Sequence, residues 1–542
     1  MRQNQEKSTL NALLEALPGR KTALDVVGFS GADKAYAISR IHEKLLKPVV
    51  VVVSSPKKAL QLCDDLNFFL RNDPDGVVAY IPPYNLLPFK FLASHNETAA
   101  TRIRSLYHLT QQDQPPVVVT TVAALMKKII PKRTLVDYAE LVLEGEEVDR
   151  DGLVKKLISG GYVSTAIVEE PGDFCARGGV LDIFSPMYPD PFRIELFGDF
   201  VESIRFFSAA SQRTRENIKE AIVIPAKEVI LGEEQKKAVI ARIREQGAWQ
   251  GLPITDVRRM VERVRMEGAF NGIESLLGLV YPVLDTLFEY VPGDSLWISA
   301  DAEAFEQSAR EAHEQVMKNY ETAMDEGALA VAPGKMYLDR PEVQEKLAMT
   351  CPLAFKMLPM VRDASTATDQ AASFAFRIED NTLLSGALRN PANRDQAVAP
   401  LVNWLEERQK QGFVTAVVCG TAAQAERLKS LLAPYGLQVR TSETFPFWKR
   451  GIEGRDGRVY VCPGKVSTGF VWPIEGLAVL TEQEIFGARK RRKKTRKGLA
   501  ARQLLAFEDL KTDDLVVHEE HGIGQYKYLK KMDISGVDND FI

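Results

Sequence analysis

The sequence predicts a multidomain α/β protein. It reads as a parallel α/β domain split by a β-rich α+β insertion, a further α/β domain, and the start of a small β domain. Three observations carry this. Apolar runs without alternation recur between helical patterns over the first ~125 residues, as expected of parallel strands covered by helices on both faces. From about residue 130 the pattern changes to short strands broken by Gly and Pro. After about residue 345, apolar runs and helical patterns alternate again.

Taken in order, ALDVVGF (23–29), VVVVVS (49–54), VVAYIP (77–82) and PVVVTTV (116–122) read as buried strands. KAYAISRIHEKLL, PKKALQLCDDLNFFL and ETAATRIRSLYHL supply the helices between them. The stretch from YVSTAIVEEPGDF through VESIRFF reads as an antiparallel sheet. Helices resume with EEQKKAVIARIREQG and DVRRMVERVRMEG, and DTLFEY and SLWISAD return the chain to α/β character. A third unit contains FVTAVVCG, a helix from AAQAERLKSLLAPYG, then GRVYVC and GLAVLT. A basic run follows, with Lys or Arg at eight of the nine positions from Arg489 to Lys497. DDLVVHEEHGIGQYKYL then reads as strands of a small domain. About thirty residues are too few to close a β core, so the domain is expected to continue past Ile542. The expected divisions are 1–128, 129–217, 218–344, 345–486, 487–508 and 509–542.

Composition is that of an ordinary globular chain, 45% hydrophobic and 26% charged, with net charge −4. That balance excludes a uniformly basic nucleic-acid coat and leaves local basic patches. Five cysteines lie far apart with no C-x-x-C pair, which argues against a zinc site or a disulfide framework and suits a reducing compartment. The longest apolar run, PVVVVV, is far shorter than the ~18 residues of a membrane span. The N-terminal residues lack the apolar core of a secretory signal. A cytoplasmic protein with no membrane partner is the expectation.

GFSGADKA (28–35) follows a strand and opens a helix, as a phosphate loop does. Against G-x-x-x-x-G-K-[ST], Gly28 and Lys34 fit, but Asp33 replaces the second Gly and Ala35 the hydroxyl residue. Asp33 would set a carboxylate beside a polyphosphate, and Ala35 offers no ligand to Mg²⁺. PVVVTTV runs into VAALMKK without the acidic pair that would hold the metal's other side. No intact copy of the motif occurs in the 542 residues. The loop is therefore read as a degenerate, non-functional phosphate site, with an ordinary strand-to-helix turn as the plainer alternative.

PGDFCARGGVLDIFSPMYPDPFRIELFGDFVESIRFFSAASQRT closely resembles the UvrA-binding domain shared by UvrB and the transcription-repair-coupling factors. YIPPYNLLPFKFLASHNETAATRIRSLYHL resembles the coupling factors, where UvrB would carry a tyrosine-rich DNA-gripping hairpin. LVVHEEHGIGQY resembles the start of their CarD/Tudor-like domain, which contacts RNA polymerase. Residues ~345–485 match by position and general character only. The resemblance implies a UvrB-like lobe in 1–128 and 218–344 that has lost its nucleotide site, with the UvrA-binding domain inserted at 129–217. It further implies UvrA and the RNA polymerase β subunit as partners. Double-stranded DNA, ATP and Mg²⁺ would belong to the motor of the parent protein, with no cofactor in these residues. The alternative is a UvrB-type helicase subunit or NTPase.

By motif, the UvrA contacts implied are Arg177 of A-R-G-G, Arg193 of P-F-R, and Phe197 of the following strand. Strand period independently puts Arg193, Glu195 and Phe197 on one face of FRIELF, with Phe192, Ile194 and Leu196 on the other. A charged face carrying a Phe suits a binding surface. The plainer alternative pairs Arg193 with Glu195 or Glu202 and folds Phe197 into a minor core. Ser164 stands where UvrB-like sequences often carry Arg. His518 and His521, three apart, fall on opposite faces of a strand, which argues against a metal pair. The basic run at 489–497 is read as a solvated linker. No catalytic role attaches to Glu169 and Glu170, nor to Asp325 and Glu326, which lack basic or nucleophilic companions.

Overall fold

A computed structural model describes residues 9–18, 22–70, 77–84, 96–111, 115–270, 272–350, 352–357, 373–389, 398–445 and 457–487, and strands 515–518, 522–525, 530–534 and 537–541. They fall into two compact units, Met1–Lys490 and Arg491–Ile542.

The first unit is built on a seven-stranded sheet. Its order is Ser373–Ala375, Leu24–Val27, Leu353–Lys356, Leu296–Ser299, Val49–Val53, Val117–Thr121, Val78–Ile81. Every pairing is parallel. Val49–Val53 and Val117–Thr121 are buried at every position, because both faces are covered. Successive side chains feed different cores. Val50, Val52 and Val118 pack with Ile103, Leu125 and Ile273, whereas Val49, Val51 and Val119 pack with Ile38, Leu66 and Phe69. Helices start where the sequence supplies caps: Ser55 accepts from the Lys58 N–H, with Pro56 at the first helical position. The strands Leu353–Lys356 and Ser373–Ala375 lie after the expected division at 344/345, yet they flank Leu24–Val27 in this first sheet.

The insertion is a six-stranded sheet in the order Thr214–Ile218, Phe200–Phe207, Phe192–Phe197, Val180–Ile183, Asp173–Arg177, Val163–Ser164. All neighbours are antiparallel except the last pair. The helix Arg150–Ser159 covers one face through Leu153 and Leu157, which share a core with Phe174, Leu181, Phe192 and Ile194. The entering strand Glu140–Leu143 pairs antiparallel with the leaving strand Glu220–Val223. Val142, Ala221, Val223 and Ala226 belong to the module's core, while Ile129, Ile130, Leu135 and Tyr138 belong to that of the flanking lobe. The divisions read from sequence, 129 and 217, thus fall outside the module's core at one end and inside a strand at the other.

The third α/β unit is a five-stranded sheet in the order Val439–Thr441, Val459–Pro463, Val414–Cys419, Leu477–Thr481, Phe470–Trp472, with only the last pair antiparallel. One of its faces shares a continuous core with the first sheet. Trp472 is fully buried there, its ring 5.4 Å from Phe29, 5.8 Å from Tyr36 and 5.6 Å from Phe376.

The second unit contains two antiparallel hairpins, Leu515–His518 with Gly522–Gln525 and Lys530–Ile534 with Val537–Phe541. His521, Cys351 and the basic run 489–497 lie outside the described residues. Among the described residues, no helix is long and apolar enough to cross a membrane.

Candidate protein-binding surface and the loop at Gly28

The strand Phe192–Phe197 positions the candidate surface. Phe192, Ile194 and Leu196 are buried, Arg193 and Glu195 are half-buried, and Phe197 is 83% exposed. Phe197 sits directly across from Phe200, itself 45% exposed, on the two sides of a Gly198–Asp199 turn. Gly198 adopts φ +63°, a conformation that favours glycine. Two phenyl rings are thereby held at a hairpin tip, outside any core.

Cross-strand register places the three sequence-predicted residues on one face. Arg177 lies opposite Val180, Val180 opposite Glu195, and Asp182 opposite Arg193. Directly opposed residues share a face, so Arg177 sits on the side that carries Arg193, Glu195 and Phe197. Arg193 donates from Nε and Nη2 to the two oxygens of Asp182, at 2.6 and 2.9 Å. Its guanidinium lies 5.3 Å from the centre of the Phe207 ring. Its partner is therefore Asp182, neither Glu195 nor Glu202. Glu195 instead accepts from Ser203 and Arg205. Arg177, exposed, donates to the Ala166 carbonyl. Val163 and Ile167 are also exposed near the sheet edge that carries Ser164. Sequence reading missed Phe200; its signal was the near-symmetric F-G-D-F around the turn.

The loop at Gly28 is closed by its own chain. Gly28 has φ +106°, and a Cβ there would come 2.2 Å from the Phe376 carbonyl oxygen. The Asp33 carboxylate is buried and accepts from the backbone N–H groups of Gly31 (2.5 Å) and Ser30 (3.1 Å). Burial pushes its pKa up, against the pull of those donors. The Ala32 N–H is taken by the Thr468 hydroxyl at 3.2 Å. Lys34 reaches the Ala300 carbonyl at 2.8 Å and Asp301 at 3.3 Å, and Ala35 is fully buried. Burial would raise Asp301, but Lys34, Ser54 and Lys58 together hold it below the usual carboxylate range. The N–H groups that would meet a phosphate already have acceptors.

A buried ion pair escaped the sequence reading. Arg102 donates to Glu228 at 2.7 Å, both fully buried, and Tyr84 donates to the same oxygen at 2.9 Å. Burial would raise Glu228, but Arg102 and Lys127 hold it below its usual range. Burial pushes the Lys127 ammonium down to about 8, and it lies 3.7 Å from the centre of the Tyr84 ring. Glu228 follows the insertion's last strand and Arg102 is on helix Asn96–His108, so the pair pins the insertion's exit to the lobe. The available signal was Arg102 on the buried face of its helix, one residue before Ile103.

Glu170 accepts from Asn96, and the Glu169 and Glu170 N–H groups are capped by Asp173. Among the described residues no cluster of His, Cys, Asp and Glu could hold a metal.

With this geometry in hand, comparison with known proteins is informative. Residues 142–229 match the UvrB interaction domain, and 510–542 match the CarD-like/TRCF RID domain. The transcription-repair-coupling factor of Myxococcus xanthus is 31% identical over 528 residues, covering 95% of this chain and 43% of that protein. Those of Bacillus subtilis and Escherichia coli are 24% and 25% identical, over 99% and 95% of this chain. The chain spans less than half the length of these relatives, 44% and 42% for the latter two. Through nearly all of its length, therefore, this chain is homologous to the transcription-repair-coupling factors.

Proposed function

We propose that the chain is the N-terminal, non-motor part of a transcription-repair-coupling factor, acting in the cytoplasm as a recruitment scaffold for nucleotide excision repair. Its insertion binds UvrA through the open sheet face, with Phe197 as a desolvated anchor and Arg177 and Arg193 as charge-assisted donors. The observation that carries this reading is the Phe197–Phe200 pair held in solvent on the face shared by both arginines. Such central aromatic and arginine anchors dominate protein interfaces. The hairpins at 515–541, within the segment matched to the CarD-like/TRCF RID domain, would contribute to binding the RNA polymerase β subunit. The parent protein would be an ATP-dependent DNA translocase that displaces stalled polymerase, with ATP and Mg²⁺ held by a motor elsewhere in it.

The rival reading, a UvrB-type helicase subunit or NTPase, requires phosphate at the Gly28 loop. Asp33 supplies a carboxylate in that place, and Thr468 takes a further N–H. Titration of the purified 542-residue chain with UvrA and with Mg·ATP distinguishes the two readings. Saturable UvrA binding without nucleotide turnover is expected. ATP hydrolysis with no UvrA binding would overturn the proposal.

A further inference from the structure

Remote from the sheet face, helices Glu233–Trp249 and Ile254–Glu267 form a hairpin that turns at Gly251, φ +68°. The helices meet closely: a Cβ on Gly247 would come 2.5 Å from Val257. Their inner sides, through Val239, Ile243, Val261 and Val264, enter the lobe core. The outer side of the seam is a groove of about 510 Å³ whose floor includes Leu252, Ile254 and Val257 and whose rim includes Arg244, Arg258 and Arg265.

Two features of this groove are unusual for a solvated helical face. Ile254 is 72% exposed and Trp249 at the hairpin tip 69% exposed, leaving apolar surface that folding has not used. Arg265 is paired with Glu262 at 2.6 Å, but among the described residues no carboxylate pairs with Arg244 or Arg258. Positions 254, 258, 261 and 265 follow one helical stripe, about 16 Å long at 1.5 Å per residue. A partner complementary to it needs apolar groups for Ile254 and Trp249 and carboxylates for the two arginines. Nucleic acid fits less well, because Glu245, Glu262 and Glu267 lie on the same two helices and would repel phosphates, while Ile254 would gain nothing.

We propose that this seam is a docking groove for an acidic, apolar-centred helical segment of a partner protein, laid into it by its apolar face. The groove is independent of the UvrA surface.

The probes are a fluorescein-labelled helical peptide of about 12 residues, Leu-rich on one face and Glu-rich on its flanks, and a twin with Lys for every Glu. Binding to the whole 542-residue chain is read by anisotropy, with duplex DNA as a third probe. The acidic peptide should bind and the basic twin should not. Arg244→Glu with Arg258→Glu should weaken the acidic peptide by about tenfold or more and turn preference to the basic twin. Ile254→Ser should weaken both pairings, with melting temperature unchanged in each variant. Equal binding of the two peptides, or indifference to charge reversal, would overturn the proposal. Duplex DNA binding lost on charge reversal would assign the groove to nucleic acid instead. Self-association abolished by Ile254→Ser would assign it to a second copy of this chain.

Discussion

Replacing Phe197 by alanine separates interface from core. The ring is 83% exposed, so its loss from the free chain should shift stability by no more than about ±0.5 kcal/mol, as exposed substitutions do. A partner that caps the ring would remove roughly 170 Å² of aromatic surface, taking about 200 Å² for a buried Phe. At ~25 cal/mol per Å² this sets a ceiling of about 4 kcal/mol, from which ordering the hairpin tip subtracts. Central aromatic anchors commonly cost about 2 kcal/mol or more on truncation, so UvrA affinity should fall by about thirtyfold or more. The assay is a titration of immobilised chain with purified UvrA, run beside thermal melts. Ile194→Ala is the control: its side chain is fully buried, so it should cost about 2–5 kcal/mol of stability. Unchanged UvrA affinity in Phe197→Ala, or a melting loss matching that of Ile194→Ala, would refute the reasoning.

Four further outcomes are expected. Arg193→Ala leaves Asp182 without its two donors, so it should lower stability by about 1–3 kcal/mol as well as weaken UvrA binding, and Asp182→Ala should reproduce the stability loss alone; an unchanged melt would contradict the pairing. Glu228→Gln strands a buried Arg102 charge and should cost about 3–5 kcal/mol, whereas methionine at both positions should recover most of it; a mild loss in the single variant would argue against the pin. Asp65 accepts from the Ser467 N–H and hydroxyl, both at 2.6 Å, and burial pushes its carboxyl up from 3.8 to about 6. Because the folded pKa is the higher one, its contribution is full below pH ~4 and is lost as pH rises towards 6, so wild type should lose ground to Asp65→Asn across that window and run parallel above it. Mg·ATP turnover should be absent, and Lys34→Ala should act on stability through Asp301 alone; a stoichiometric micromolar nucleotide site lost in that variant would restore the enzyme reading.

What the sequence made legible follows from local pattern. VVVVVS and PVVVTTV were readable as buried strands because a strand covered on both faces has no polar positions. FRIELF was readable as two-faced because its neighbours alternate. Pairing over long separations left no such trace. Leu353–Lys356 and Ser373–Ala375 are four and three residues long and join the first sheet only through Leu24–Val27, so no local pattern assigns them to it. The ends of the insertion were misplaced for the same reason: Glu140–Leu143 and Glu220–Val223 define each other by pairing. At Asp33 the residue change was visible, but its local role was not. Read as a charge that would repel phosphate, it proves to be the acceptor for the loop's own N–H groups.

Substitution at the Gly28 loop and closure of the lobes against each other are parts of one arrangement. A two-lobed nucleotide motor must let its lobes move as phosphate comes and goes. Here the loop 464–469 of the third α/β unit reaches the first lobe at three points: Lys465 to Asp64, Ser467 to Asp65, and Thr468 to the Ala32 N–H. Behind it, Trp472 is fully buried among Phe29, Tyr36 and Phe376, and Gly464 leaves no room for a Cβ beside Phe68, at 2.4 Å. Opening this contact would expose a continuous aromatic core and strand a buried carboxylate at Asp65. Each costs kcal/mol, and no ligand contact at the loop would offset them. Closure of this kind supports a rigid platform over a cycling lobe, and a rigid platform is what the insertion needs. Its exit is pinned by Arg102 and Glu228, so the Phe197 hairpin is presented from a frame that need not reorganise when a partner docks.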